Sequence, residues 1–251
     1  MIHGLDARVK AVLSLGFILM LALLRPGAWP IYILCFALLW AAALLSELGV
    51  RFIWTRALLA LPFALAALPL LFTVAGPSLI AWNVFGWTVT VTTNGTERLL
   101  SIVMKSWLSV QVGVMLVSAT PFPQLLAALR ALRMPRLLVA IVGLMWRYLF
   151  VLSDEALRLL RARAARSGDP DGRRRVGGSV LWRAHVTGGM AGNLFLRAFD
   201  RADRIYAAML ARGYDGEIHT LPFPPLTAGD WSLLGIGIGV LGLLGTLSLL
   251  W

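Results

Sequence analysis

Two consecutive segments decide how this chain is organised: PRLLVAIVGLMWRYLFVLSDEALRLLRARAARSG, which is Pro135–Gly168, and SVLWRAHVTGGMAGNLFLRAFDRADRIYAAMLARG, which is Ser179–Gly213. Proline is favoured at the start of a helix, and glycine is the usual residue just past its end. Both segments close on an alanine–arginine pair followed within two residues by glycine. The pattern predicts two long, arginine-rich helices, the first of about 33 residues and about 50 Å.

The rest of the chain has the composition of a membrane protein. Of its 251 residues, 59% are hydrophobic, and the mean hydropathy is +0.80. Soluble domains are usually about 45–50% apolar, whereas several runs here approach the roughly 20 residues that cross a bilayer. We therefore expect an all-α membrane protein with about five transmembrane helices and two long cytosolic or interfacial helices.

The expected spans are separated by turn signals and charged loops. They are Ala11–Leu24, Ala28–Ser46, Ala57–Ala75, Leu99–Ala119 and Trp231–Trp251. Pro62 and Pro69 should kink the third span. Valine and threonine alternate in Gly76–Thr96, which predicts an extended or hairpin-like outside loop. Within it, Asn94-Gly95-Thr96 is expected to form a turn before a helix. These boundaries divide the chain into membrane helices at 1–120, a cytosolic domain at 121–220 and a final membrane helix at 221–251.

The apolar half of the first long helix leaves two alternatives open. Leu137–Leu152 has 16 residues and carries Arg147 in its middle. If this stretch crosses the bilayer, there are six spans and the C-terminus returns inside. If it lies in or under the inner interface, which we prefer, there are five spans and the C-terminus is outside.

Positive charge is concentrated in the predicted cytosolic domain. The chain has a formal net charge of +11, and residues 121–220 hold 16 Arg against 8 Asp and Glu. Cytoplasmic loops of membrane proteins show this excess, and anionic lipids attract it. No zinc-finger spacing or RNP-type motif is present, so nucleic acid is not an expected partner. We expect a multi-pass protein of the cell (inner) membrane with a cytoplasmic N-terminus.

The sequence contains few signals for chemistry of its own. It has no phosphate-binding G-x-x-x-x-G-K-[ST] motif, and a G-x-G-x-x-G match at Gly237–Gly242 lies inside the last span, where Gly235 and Gly239 predict helix packing instead. His3, His185 and His219 are far apart. We therefore expect no catalytic residue, no metal site and no cofactor in this chain.

Three polar or reactive groups in or beside apolar segments have structural explanations. Cys35 is the only cysteine and should be a packing residue. Lys105 lies inside the fourth span, where snorkelling or contact with a partner helix explains its charge. Asp154 should form an i,i+4 pair with Arg158 on the surface of the first long helix.

One face of the second long helix is apolar at helical spacing. This face is formed by Phe195, Phe199, Ala202, Tyr206 and Met209, with charged residues on the remaining surface. Their spacing places these residues on one face of the helix.

The arginine at each helix end has two interpretations. A cation is favoured there by the helix dipole. Two such ends in one domain, each with small neighbours, also suit docking into a partner groove that offers carboxylates or carbonyls. The docking hypothesis places Arg166 in one contact and Arg212 in the other.

Several stretches resemble the transmembrane T component of energy-coupling factor (ECF) transporters, of the CbiQ type linked to cobalt uptake. They are LDARVK at 5–10, LRALRMP at 129–135, WRYLFVL at 146–152, Asp154-Glu155 and AAMLARGY at 207–214. The resemblance implies two coupling helices that dock on a pair of cytosolic ABC ATPases through X-Arg-X ends. These ends correspond here to Ala165, Arg166 and Ser167, and to Ala211, Arg212 and Gly213. Ser167 stands where glycine is common in that family.

The resemblance also implies what other chains supply. ATP would be bound by the partner ATPases, and the substrate by a separate membrane subunit that contacts the apolar face. Cobalt is the expected cargo, with nickel or a vitamin as the alternative. A self-contained membrane enzyme or a lipid-binding scaffold is the rival of a different class.

Overall fold

The computed structural model describes residues 5–46, 55–58, 61–84, 87–166, 179–216 and 225–250. Predictions that fall elsewhere, including those on Ser167, His3 and His219, lie outside this part. The described residues form mainly helices, which confirms the helical membrane class, together with one two-stranded sheet. The chain divides into two compact units, Met1–Leu132 with Phe223–Trp251, and Arg133–Pro222.

The first unit begins with a helical pair. Helix α1 spans Ala7–Leu23 and starts earlier than predicted, because the Asp6 side chain accepts a hydrogen bond from the Arg8 N–H at 2.8 Å and caps it. Helix α2 spans Trp29–Leu45. The predicted turn lies between them, with Gly27 at φ +87°, in the left-handed region that favours glycine.

The predicted third span is broken rather than kinked. Helix α3 spans Leu61–Ala67 and helix α4 spans Leu70–Thr73. Leu68 and Pro69 form the turn between them, and the Pro69 carbonyl accepts from the N–H groups of Phe72 and Thr73. Proline has no N–H for the first helix and disfavours helical geometry in the residue before it, so a new helix begins there.

The extended loop is a β-hairpin, as predicted. Strand β1, Ser78–Val84, pairs antiparallel with strand β2, Trp87–Thr92, and Ala81 lies opposite Thr90.

Helix α5 spans Thr93–Ala119 and begins six residues before the predicted start, so the Asn94 turn prediction was wrong. The Thr92 hydroxyl caps the helix by accepting from the Gly95 N–H at 3.1 Å, and it donates to the Val74 carbonyl at 2.7 Å. A Cβ on Gly95 would lie 2.8 Å from the Leu70 carbonyl oxygen, so close approach requires glycine here. Asn94–Thr96 is therefore the first turn of this helix.

Two further helices complete the unit. Helix α6, Phe122–Ala131, packs on α1 through Ala128, Ala7 and Ala11. Helix α9 spans Ala228–Leu250. Helices α7, Arg136–Arg166, and α8, Val180–Ala211, belong to the second unit.

The glycine of α9 that packs against another helix of this chain is not one of the two that the sequence predicted. Gly235 and Gly239 have open space where a Cβ would stand, whereas a Cβ on Gly237 would clash with the Leu13 side chain. Within the described chain, α1 therefore contacts α9 at Gly237, through the end of the Leu13 side chain, and not at the predicted pair Gly235 and Gly239.

The core of the first unit is formed by α1, α2, α5 and α9. Leu21, Tyr32, Cys35 and Leu108 are fully buried in it. The Tyr32 hydroxyl donates to the Arg25 carbonyl at 2.9 Å, so its polar end is satisfied. Burial confirms Cys35 as a packing residue.

Two lysines bind the C-terminal carbonyl groups of each other's helix. Lys10 Nζ on α1 donates to the carbonyl of Ala119, the last residue of α5, at 3.3 Å. Lys105 Nζ on α5 donates to the carbonyls of Ala22, at 3.4 Å, and Leu24, at the end of α1. A cation at a helix C-terminus satisfies carbonyls that have no partner within the helix and complements the helix dipole. This confirms the contact of Lys105 with a partner helix.

We expect Lys105→Met to lower the free energy of unfolding by about 1.5–3 kcal/mol, the usual contribution of hydrogen bonds to a charged group. Lys105→Arg keeps the charge and should retain most of the stability. Arg98→Gln, at an exposed position of the same helix, serves as the charge-matched control. The measurement is thermal unfolding of the purified protein in detergent; an unchanged midpoint for Lys105→Met would contradict this role.

Three helices of the described chain are long and apolar enough to cross a membrane: α5, the Arg136–Arg166 helix, and Ala228–Ser248 within α9. Helix α2 is apolar but shorter. The first long helix meets the criterion by length and composition, so the crossing alternative for Leu137–Leu152 stays open beside the interfacial one.

Candidate functional site

Helix α7 spans Arg136–Arg166, 31 residues without a break, as the sequence predicted. The Pro135 carbonyl accepts from the N–H groups of Leu138 and Val139, so the helix begins where proline is tolerated. Its first half exposes large apolar side chains, namely Leu137, Leu138, Ile141, Met145, Leu149 and Phe150. Its second half is polar and ends at Arg166, whose side chain is exposed.

Helix α8 spans Val180–Ala211, 32 residues. Ser179 caps its start by accepting from the Trp182 N–H at 3.3 Å. At its end the Gly213 N–H donates to the Leu210 carbonyl at 2.9 Å, and the Tyr214 N–H donates to the Met209 carbonyl at 3.0 Å.

These two bonds, with Gly213 at φ +80°, form a Schellman motif. The motif stops the helix at a defined residue, which leaves Arg212 as the cap with an exposed side chain. The second helix therefore ends within one residue of the predicted end at Arg212.

The two long helices run antiparallel. Glu155 on α7 accepts from Arg197 on α8 at 2.7 Å. Arg163, about two turns further along α7, donates to Thr187, which lies nearly three turns earlier on α8, at 3.0 Å. The direction of one helix is therefore opposite to that of the other.

Glu155 forms ion pairs both within α7 and with α8, and its bond to α8 was not predicted from the sequence. Arg158 binds its second carboxylate oxygen at 2.6 Å, so the partner of Arg158 is Glu155 and not Asp154 as expected. The missed bond to Arg197 joins residues 42 positions apart. A pattern of i,i+3 or i,i+4 charges within one helix contains no signal for it.

The side of α8 nearest α7 is a stripe of half-buried residues. Its members, spaced three or four residues apart, are Arg183, Val186, Met190, Leu194, Ala198, Arg201, Ile205 and Met209. This stripe faces α7.

The predicted contact face is accordingly exposed on this chain. Phe195, Phe199 and Tyr206 are 67%, 59% and 56% exposed, and Ala202 is exposed as well. Met209 differs, because it is half-buried and belongs to the inward stripe. We call the group Phe195, Phe199, Ala202 and Tyr206 the aromatic face; its role in binding another subunit stays a prediction.

The described docking residues are all exposed at helix ends. Ala165 and Arg166 close α7, and Ala211, Arg212 and Gly213 close α8. Because the helices are antiparallel, their C-terminal ends point away from each other. From the Glu155–Arg197 contact, the combined path outwards to the two arginines is about 40 Å at 1.5 Å per residue. The two tips therefore lie at opposite ends of the helix pair.

Among the residues that the structure describes, no group of three or more His, Cys, Asp and Glu side chains is arranged to hold a metal ion. His185 lies exposed on α8.

Comparison with known proteins adds a family to this geometry. Residues 1–221 match the family model CbiQ, described as cobalt transport protein. The cobalt transport protein CbiQ of Rhodobacter capsulatus is 28% identical over 216 residues, covering 86% of this chain and 81% of that protein. The ECF transporter transmembrane protein EcfT of Limosilactobacillus fermentum is 26% identical, covering 90% and 84%. The nickel permease LarQ of Lactiplantibacillus plantarum is 34% identical over a shorter stretch, 39% of this chain and 32% of that protein.

Proposed function

Because the chain belongs to the CbiQ family of cobalt transport proteins, we propose that it is the transmembrane coupling subunit of an ECF-type importer for cobalt. It transmits the movement of partner ATPases to a separate membrane subunit that binds the substrate. It is a multi-pass membrane protein, and we place its N-terminus in the cytoplasm because the basic segments belong on that side.

The observation that carries this proposal is the pair of exposed arginines at opposite ends of an antiparallel helix pair. One partner groove cannot take both tips if they stand about 40 Å apart along the helices. Two equivalent grooves on an ATPase dimer can. Each guanidinium has a fork of donors that suits carboxylates and carbonyls lining such a groove.

The aromatic face supports the second contact. Large exposed aromatic side chains are enriched in the centres of protein interfaces. A substrate-binding membrane subunit packed on Phe195, Phe199 and Tyr206 would be moved when the ends of α7 and α8 move. The partner ATPases bind and hydrolyse ATP, and this chain needs no cofactor of its own.

Cobalt is the proposed cargo because of the family and of the relative named for cobalt. Nickel is the alternative, since another relative is named a nickel permease. Choice between the metals is assigned to the substrate-binding subunit.

Affinity purification of the tagged chain from its own cell membranes tests the assembly. We expect ABC ATPase chains and one further membrane protein to co-purify, and the isolated complex to hydrolyse ATP. Uptake of radioactive cobalt, with nickel as competitor, then identifies the cargo. Recovery of the chain alone, with a catalytic activity of its own, would contradict the proposal.

A further inference from the structure

A groove between α7 and α8 is lined by several arginines and lies at the boundary between the apolar and polar halves of α7. Leu152, the last residue of the apolar half, and Leu194 line the groove together with Arg197, Arg201 and Arg204. All of them belong to the second unit.

The charge of this groove is not neutralised within the described chain. Glu155 is occupied, because Arg158 and Arg197 bind one carboxylate oxygen each. Asp200 is the second carboxylate that lines the groove, so the lining residues include three arginines and two carboxylates.

Two of the arginines have free donors. In the part of the chain that the structure describes, the guanidinium groups of Arg201 and Arg204 have no hydrogen-bond or ion-pair partner. Arg201 is half-buried beside α7, which is an unusual place for an unmatched cation. The groove therefore offers donors to an anion from outside the chain.

Apolar surface continues directly from these donors. Leu149 and Phe150, one turn before the groove on α7, are 52% and 56% exposed. Because α8 runs antiparallel to α7, Arg201 and Arg204 lie beyond Arg197 in the direction of this apolar half. A phospholipid has a matching arrangement, because its anionic phosphate lies next to its apolar acyl chains.

We propose that this groove binds the headgroup of an anionic phospholipid, with Arg201 and Arg204 as its phosphate ligands and the apolar half of α7 against the acyl chains. Planar guanidinium forks suit phosphate oxygens. A bound lipid would hold this part of the helix pair at the inner membrane surface, where the leaflet is negatively charged. The site is independent of the two docking tips.

Native mass spectrometry of the full-length protein in detergent tests the proposal, with phosphatidylglycerol and phosphatidylcholine as the added lipids. We expect wild type to retain phosphatidylglycerol preferentially. Arg201→Gln with Arg204→Gln should reduce this retention about 25-fold, since each cation contributes about a fivefold change in affinity near an anionic lipid. Retention of phosphatidylcholine should be unchanged.

The matched control is Arg98→Gln with Arg161→Gln, two exposed arginines away from the groove. It removes the same net charge and should retain the lipid as wild type does, while circular dichroism verifies the helical content of both variants. Equal loss in both variants would show a general charge effect and overturn the site. Full displacement of the lipid by glycerol phosphate, which has no acyl chains, would overturn the lipid as occupant.

Discussion

Arg166→Glu combined with Arg212→Glu abolishes uptake and detaches the ATPases from the membrane complex. This is the largest effect that we expect. Both side chains are exposed at the ends of α7 and α8, and neither change alters a buried contact or the Schellman motif that ends α8. Truncating one partner of a charged, hydrogen-bonded pair in an interface costs about 2–5 kcal/mol. Reversal at two sites should weaken ATPase binding by at least about 100-fold.

Variants that separate charge from geometry sharpen this test. Arg166→Lys with Arg212→Lys keeps both charges but removes the planar forks, so we expect an intermediate loss of ATPase binding. Arg98→Glu with Arg161→Glu makes the same charge change at exposed positions away from the tips and should leave binding intact. Co-purification of the ATPases and cobalt uptake are measured together. Full transport by the doubly reversed variant would exclude the docking role.

Phe195→Asp with Phe199→Asp separates the chain from the substrate-binding subunit while the ATPases stay bound. Both phenylalanines are more than half exposed on α8, so their replacement leaves the inward stripe that packs on α7 in place. Central aromatic residues of an interface commonly contribute 2 kcal/mol or more each. The double change should therefore weaken the membrane-subunit contact by about 100-fold or more.

Leu181→Asp is the control for the aromatic face. Leu181 lies near the start of the same helix and is 83% exposed, so it tests whether any charge on an apolar position of α8 has the same effect. We expect this variant to retain both partners in co-purification. If the phenylalanine variant kept the membrane subunit, or if Leu181→Asp lost it equally, the aromatic face would not be the contact.

The ends of the long helices could be predicted because their signals are local. Pro135, Ser179 and Gly213 act through their own backbone or through groups within one helical turn. The break at Pro69 was underestimated as a kink, because a sequence contains no measure of whether neighbouring helices hold a proline-containing helix together. The early start of α5 was missed because the Thr92 cap also depends on Val74, a residue 18 positions away.

The amino-acid sequence by itself determined that this is a helical membrane protein and where its long helices end, because composition and helix caps act within a few residues. Only the tertiary structure decided which groups meet between helices. It showed that Gly237 makes the close contact of α9, and that Lys10 and Lys105 bind carbonyl groups at the end of each other's helix. It also showed that Met209 faces inwards and that Arg201 and Arg204 line a groove. Those facts depend on which helices lie side by side and in which direction. The separation of two residues along the chain does not predict such contacts, because the groups meet only after the helices have packed.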